Sequence, residues 1–164
     1  MNDKPNYERL LRLLADANVN IIVIGAVAMN MRDADFVTQD LDVCYQQSPQ
    51  NAERICRVLG PICPTIRSAF TDTIDLLATN PRGGNFKTDL GDIDLLVEVA
   101  GLGNYEAVSQ CATLITLEDI TVQALTLDGL IKAKEAAGRS KDLLHLITLR
   151  ALKEMEDKEA DAEE

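Results

Sequence analysis

The sequence predicts an α/β (α+β) domain, a small central sheet with a helical C-terminal end. Three observations carry that reading. Helix-patterned and strand-patterned segments alternate along the chain. The β-branched run Ile21-Ile22-Val23-Ile24 stops at Gly25, and two later apolar strands each open on Asp-x-Asp. From Leu127 onward the spacing of apolar residues is helical.

Residues 7–15 set Leu10, Leu11, Leu13 and Leu14 among charged residues, which is an amphipathic helix, and Asn18-Val19-Asn20 ends it. The run Ile21-Ile22-Val23-Ile24 then reads as a buried strand. Gly25 and the apolar helix formers of 26–31 make a strand-turn-helix step. Residues 41–45 form a second strand. Residues 49–59 form a helix, with Ser48 as N-cap and Pro49 at the first helical position. Over 61–81, three prolines and weak periodicity predict an irregular passage with a strand at 73–78. Arg82-Gly83-Gly84-Asn85 reads as a turn between extended segments. Residues 93–99 are the clearest later strand, closed by the loop Gly101-Leu102-Gly103. Residues 111–117 and 120–124 have strand composition, and Glu118-Asp119 makes a hairpin turn between them. The helical end breaks at Gly138, and its last helix spans 141–154.

At 164 residues, 46% of them hydrophobic, the chain suits one folded domain. We assign it to 1–152 and expect 153–164 to be an acidic, disordered tail. No apolar run reaches the roughly 18 residues of a membrane span, and residues 1–6 are polar, so neither a membrane partner nor a secretory signal is expected. The four cysteines show no C-x-x-C pair, which points to a reducing, cytoplasmic setting. One histidine and no thiol cluster argue against a zinc site and against Ser-His-Asp or Cys-His chemistry. Carboxylates with a hard cation are what remains. The net charge of −11 argues against general DNA binding. Seven acids against two bases in 153–164 supply −5 of it, which leaves room for a local basic patch.

Three pieces carry chemistry. Gly25-Ala26 directly follows a buried strand, where a glycine lets backbone N–H groups approach a phosphate; an ordinary turn is the plainer reading. Asp40-Leu41-Asp42, with Thr38 just before it, puts two carboxylates on one strand face. They repel unless a cation sits between them, and Mg²⁺ is held by such carboxylates with substrate phosphates; two solvated strand-end residues are the alternative. Asp92-Ile93-Asp94 opens another apolar strand, and either aspartate has the parity to add a third carboxylate. Three carboxylates suit a two-metal site, with Asp94 also able to accept a proton from an attacking hydroxyl.

The ordered set Gly25-Ala26, Thr38-x-Asp40-Leu41-Asp42 and the later acidic strand resembles the nucleotidyltransferase fold of the polymerase-beta superfamily. It is most similar to small bacterial members related to the AbiEii toxins. Residues 85–96 (NFKTDLGDIDLL) resemble that group's third-carboxylate strand and align its aspartate with Asp94. Residues 130–142 (LIKAKEAAGRSKD) resemble its C-terminal K-x-x-x-G-R-x-K-D signature. The resemblance spans about residues 20–150. It implies a small mixed sheet flanked by helices, and transfer of a nucleoside monophosphate from an NTP with Mg²⁺ or Mn²⁺. Asp40, Asp42 and Asp94 would then be catalytic and metal-holding. Gly25, Ala26, Thr38, Lys134, Arg139, Lys141 and Asp142 would bind the nucleotide. Two positions depart from the family pattern: Ala26 replaces a frequent glycine or serine, and Phe36 a frequent arginine, with Arg32 nearby as a substitute.

The function this implies is a metal-dependent nucleotidyltransferase acting on a hydroxyl of an RNA end, a protein or a small molecule, toxin-like and paired with a partner or antitoxin chain. The competing class is a non-catalytic nucleotide- or partner-binding module that kept the fold. His145, Tyr105, Phe70 and Phe86 are expected in packing roles, and Lys132 and Lys134 by themselves also read as a solvated helix face.

Overall fold

A computed structural model describes residues 4–163. In chain order the elements are α1 (Tyr7–Asp16), β1 (Ile21–Ile24), α2 (Gly25–Met31), β2 (Asp40–Tyr45), α3 (Pro49–Leu59), a 3₁₀ turn (Gly60–Ile62), α4 (Pro64–Ser68), α5 (Phe70–Thr79), β3 (Gly84–Thr88), β4 (Gly91–Leu96), β5 (Glu98–Val99), β6 (Gly103–Asn104), α6 (Tyr105–Ser109), β7 (Ala112–Leu117), β8 (Ile120–Leu125), α7 (Leu127–Ala137) and α8 (Asp142–Ala162). Six strands form one mixed sheet in the order β3-β4-β2-β1-β8-β7, and β5 pairs with β6 separately. Strands β2 and β4 run parallel, as do β1 and β8; the other three pairs are antiparallel.

Every residue of β1 is buried, so helices cover both faces of the sheet at its centre. In β2 and β4 the pleat sorts the side chains. Leu41, Val43, Tyr45, Ile93 and Leu95 enter the core, while Asp40, Asp42, Asp92 and Asp94 line the other face half-buried. On the core side, α5 lies over the strands, and the Tyr45 hydroxyl donates to the Leu77 carbonyl oxygen at 2.7 Å.

Several helix ends follow the expected chemistry. The Ser48 hydroxyl accepts from Asn51 N–H at the start of α3. Gly138 adopts φ +62° after α7, the left-handed stop that the sequence places there. The β7–β8 hairpin turns at Glu118, with φ +52°.

Three stretches differ from expectation. Residues 64–79 are two helices, not an irregular passage with a strand at 73–78. Thr71, Thr73 and Ile74 look strand-like by composition, but the Thr73 hydroxyl donates to the Ala69 carbonyl and Thr79 to Asp75, each four residues back, while Thr73 and Leu77 bury at helical spacing. The turn at 81–82 therefore joins a helix to β3 rather than two strands. The expected strand 93–99 begins earlier, at Gly91, and breaks after Leu96, because a hairpin with β3 sets its start. Finally, α8 does not stop at Glu154 but runs as helix through the acidic residues to Ala162. Lys153 pairs with Asp157 at 3.1 Å along that helix and with Asp128 at 3.4 Å on α7.

Candidate functional site

Strand register builds the site. Reading across the sheet, Asn85, Asp94, Asp42 and Ile24 stand level on β3, β4, β2 and β1; one step back, Lys87, Asp92 and Asp40 form a second row. Both rows share a face. Side chains level on neighbouring strands sit about 5 Å apart at the backbone, so the register itself brings Asp42 and Asp94 together. The Asn85 side-chain amide donates to the Asp94 carboxylate, which fixes its rotamer.

Gly25 closes the row from above. It leaves β1 with φ +65°, a left-handed turn into α2. A Cβ at this position would meet the Asp42 Oδ2 oxygen at 2.5 Å. Only glycine allows both the backbone angle and that approach.

A cavity of about 440 Å³ opens beside this turn. Asp42, Asp94 and Gly25 stand at one side of it, Lys134 and Arg139 at another. Its remaining walls are apolar: Leu96 at the end of β4, Val99 and Ala100 beyond it, Leu125 of β8, and Leu130, Ala133 and Ala137 along α7. Small residues bring the loop onto the helix, for a Cβ at Gly101 (φ +78°) would lie 2.6 Å from that of Ala136.

The basic side is anchored by Asp142, whose side chain is 1% exposed. Its carboxylate accepts from Lys134 Nζ at 3.0 Å and from Arg139 Nε at 2.9 Å. Burial pushes the Asp142 carboxyl up, but the hydrogen bonds from Arg139 and Lys134 outweigh it and hold it below the usual range. Two cations on one acid leave a positive surplus facing the cavity. Opposite, burial first, then hydrogen bonding to Asp94 and its charge, push the Asp42 carboxyl up to about 7, against the pull of Lys134. Asp40 is also raised, by burial and then by Asp94 and Asp92.

A group of oxygen donors that is reluctant to ionise in a crowded, half-buried row suits a hard divalent cation. Among the described residues, however, no three Asp, Glu, His or Cys side chains gather closely enough to hold a metal as they stand. Asp42 and Asp94 form a pair, and Asp40 stands one row back beside Asp92. The register thus sets Asp94, not Asp92, level with Asp42.

Other expected residues take these places. The Thr38 hydroxyl is committed to the Asp40 backbone, donating to its carbonyl oxygen at 2.9 Å and accepting from its N–H at 3.3 Å. Ala26 follows Gly25 in the first turn of α2. Lys141 is exposed just before α8 and lies outside the residues lining the cavity. Phe36 is bracketed by Asn30, which donates to its carbonyl oxygen and accepts from its N–H, both at 2.8 Å. Its ring stacks obliquely on His145, with centroids 4.4 Å apart. His145 therefore packs, as expected; burial, and after it the charge of Lys134, lowers its pKa. Arg32 does not substitute for an arginine at position 36. Its guanidinium bonds to the Leu125 and Ala124 carbonyl oxygens and the Thr113 hydroxyl, at 3.0, 3.1 and 2.7 Å. Composition gives no hint of Asn85 as the partner of Asp94, which the pairing of β3 with β4 reveals, nor of the apolar wall, which α7 and β8 complete.

No protein-family model matches this sequence, and no curated protein matches it either. The structure is nonetheless similar to a crystal structure from Thermotoga maritima, of a protein provisionally assigned as a nucleotidyltransferase. The TM-score is 0.57 at 13% identity, over 87% of this chain and 91% of that one. The two proteins share a fold. Its mixed sheet, flanking helices and C-terminal helix are those expected from the sequence. Among the described residues, no helix is long and apolar enough to cross a membrane.

Proposed function

We propose that this chain is a metal-dependent nucleotidyltransferase that moves a nucleoside monophosphate from an NTP to a hydroxyl of an acceptor. The observation that supports it best is the Asp42–Asp94 pair set level by strand register, beside the Gly25 turn and across one cavity from Lys134 and Arg139. In this reading Asp42 and Asp94 hold Mg²⁺ or Mn²⁺, with Asp40 behind them. The cation would neutralise phosphate charge and the developing charge of the pyrophosphate leaving group. The backbone at Gly25 and Ala26 approaches the phosphates. Lys134 and Arg139, aimed by Asp142, bind phosphate oxygens, with Lys141 nearer the solvent end. Asp94 accepts the proton of the attacking acceptor hydroxyl, and Asn85 holds its carboxylate in place for that task. The apolar wall takes the base.

The acceptor belongs to one of three classes: an RNA end, a protein side chain or a small molecule. The likeness of residues 130–142 to the AbiEii-related signature favours a toxin-like role with an antitoxin or partner chain, in a reducing cytoplasm suited to four free cysteines. A second reading, a nucleotide-binding module without catalysis, draws support from the engaged Arg32, the phenylalanine at position 36 and the lack of a ready three-carboxylate cluster among the described residues.

The deciding experiment incubates the protein and Mg²⁺ with each α-labelled NTP and total cellular RNA and protein. Label transferred by wild type but not by Asp42→Asn or Asp94→Asn supports the enzyme. Nucleotide binding without transfer supports the module, and neither binding nor transfer overturns both.

A further inference from the structure

The inward side of α8 is fully used: Leu146 and Leu149 bury against α7, and Asp142 beneath the site. The outward side carries Leu143, Leu144 and Ile147, which are 62%, 64% and 66% exposed, then Ala151 and Met155. Residues 144, 147, 151 and 155 follow helical spacing, so they make one apolar stripe along a helix of 21 residues, about 31 Å long. The helix outruns α7, whose first turn lies at the Lys153–Asp128 contact. Beside the overhang opens a cavity of about 320 Å³ lined by Met31, Leu127, Leu152 and Met155 and by four charged residues, Glu159 among them. The charges at the two ends of α8 are opposite. Arg139 and Lys141 precede it, while residues 154–163 hold six acids and one base.

We infer that this face binds a second copy of the chain, with the two α8 helices antiparallel. The stripe is then self-complementary in the manner of a two-fold interface. With the axis near Arg150, Leu144 of each copy meets Met155 of the other, at the edge of the cavity beside it. Lys141 of each copy comes level with Glu159 of the other, and each acidic end meets a basic one. A parallel pair would instead put the acidic ends together. The inference does not depend on the proposed activity.

Sedimentation equilibrium on the whole chain tests it. A dimer is expected at micromolar to submillimolar concentration, weakening as salt rises. Ile147→Asp should raise its Kd at least about tenfold with unchanged circular dichroism, since Ile147 is 66% exposed in the single chain. Lys141→Glu should also weaken it. Under mild oxidation, a mixture of Leu144→Cys and Met155→Cys chains should cross-link between the two variants, while Leu144→Cys alone should not. A monomer at all concentrations, a dimer indifferent to Ile147→Asp, or self-cross-linking of Leu144→Cys would each overturn the proposal.

Discussion

Asp42 and Asp94 stand directly level on two parallel strands, so the spacing of the sheet rather than side-chain reach sets how close their carboxyls lie. Asn85 holds Asp94 from the next strand, and the Gly25 turn presses on Asp42 from above. Neither acid can swing far from the other. The pair is a built-in charge conflict on the half-buried face of an otherwise apolar sheet.

That conflict has a pH signature. The Asp42 carboxyl is raised in the folded state, to about 7. A carboxyl whose folded pKa lies above its unfolded value stabilises the fold below the unfolded pKa, and that contribution is lost as pH rises through the folded one. Between about pH 4 and 7 wild type should therefore lose stability relative to Asp42→Asn as pH rises. His145 pushes the opposite way in part of this window, its lowered pKa favouring the fold as pH rises, but it is common to both proteins and cancels in the difference. Urea melts of both proteins across the range check this; parallel curves would contradict it.

Gly25→Ala joins two costs. The left-handed backbone alone disfavours a side chain by about 1–3 kcal/mol, and the new methyl would meet the Asp42 oxygen at 2.5 Å. We expect a loss at or above the top of that range, and weaker nucleotide binding in the folded fraction. Asp42→Gly in the Gly25→Ala background should recover part of the stability, since it removes the colliding carboxylate. A double-mutant cycle with no coupling would show that the contact is unimportant.

How much of this was legible beforehand depended on how local its causes were. The strand at 21–24, the Gly25 turn, the Ser48 cap and the Gly138 stop follow from neighbouring residues, and they stand where expected. Asp-x-Asp parity put the acids on common faces, yet it gave no means of choosing Asp94 over Asp92, because both have the same parity and only the register with β2 separates them. The helices at 64–79 are not legible in composition, because threonines there satisfy their hydroxyls on the helix's own carbonyls. Arg32 lies near Phe36 in the sequence, but it turns to the end of β8, a contact over 90 residues apart in the chain.

Asp142 is the residue whose loss should cost most at the basic side. Its truncation to alanine leaves Lys134, 14% exposed, without the acid that holds it. Breaking a buried ion pair by removing one partner costs about 3–5 kcal/mol, and because Arg139 is 54% exposed and can rehydrate, the low end applies. The effect should grow as pH rises from about 3 to 5, since the lowered Asp142 pKa stabilises the fold above its unfolded value and that contribution fades as pH falls. Asp142→Ala together with Lys134→Met should be milder than Asp142→Ala alone, because no orphaned charge remains. Equal losses in the single and double variants would mean the carboxylate serves packing only.

A ligand that binds the folded state alone stabilises it by about 2.7 kcal/mol at 100 times its Kd, which for a domain of this size raises the melting temperature by roughly 5–10 °C. Mn²⁺ or Mg²⁺ should produce such a shift in wild type, and an NTP added with the cation should extend it. The rows across the sheet predict an order among the four acids. Asp42→Asn and Asp94→Asn remove members of the level pair, so each should abolish most of the cation shift. Asp40→Asn, one row back, should reduce it less. Asp92→Asn, level with Asp40 and beside Lys87, should leave it nearly intact. The Asp42→Asn protein should also melt no lower than wild type without metal, because it relieves repulsion that the bare fold carries. Thermal melts of the five proteins with and without cation decide the order, and a response spread evenly over all four aspartates would mean that the cation is attracted by the general negative charge and not held between Asp42 and Asp94.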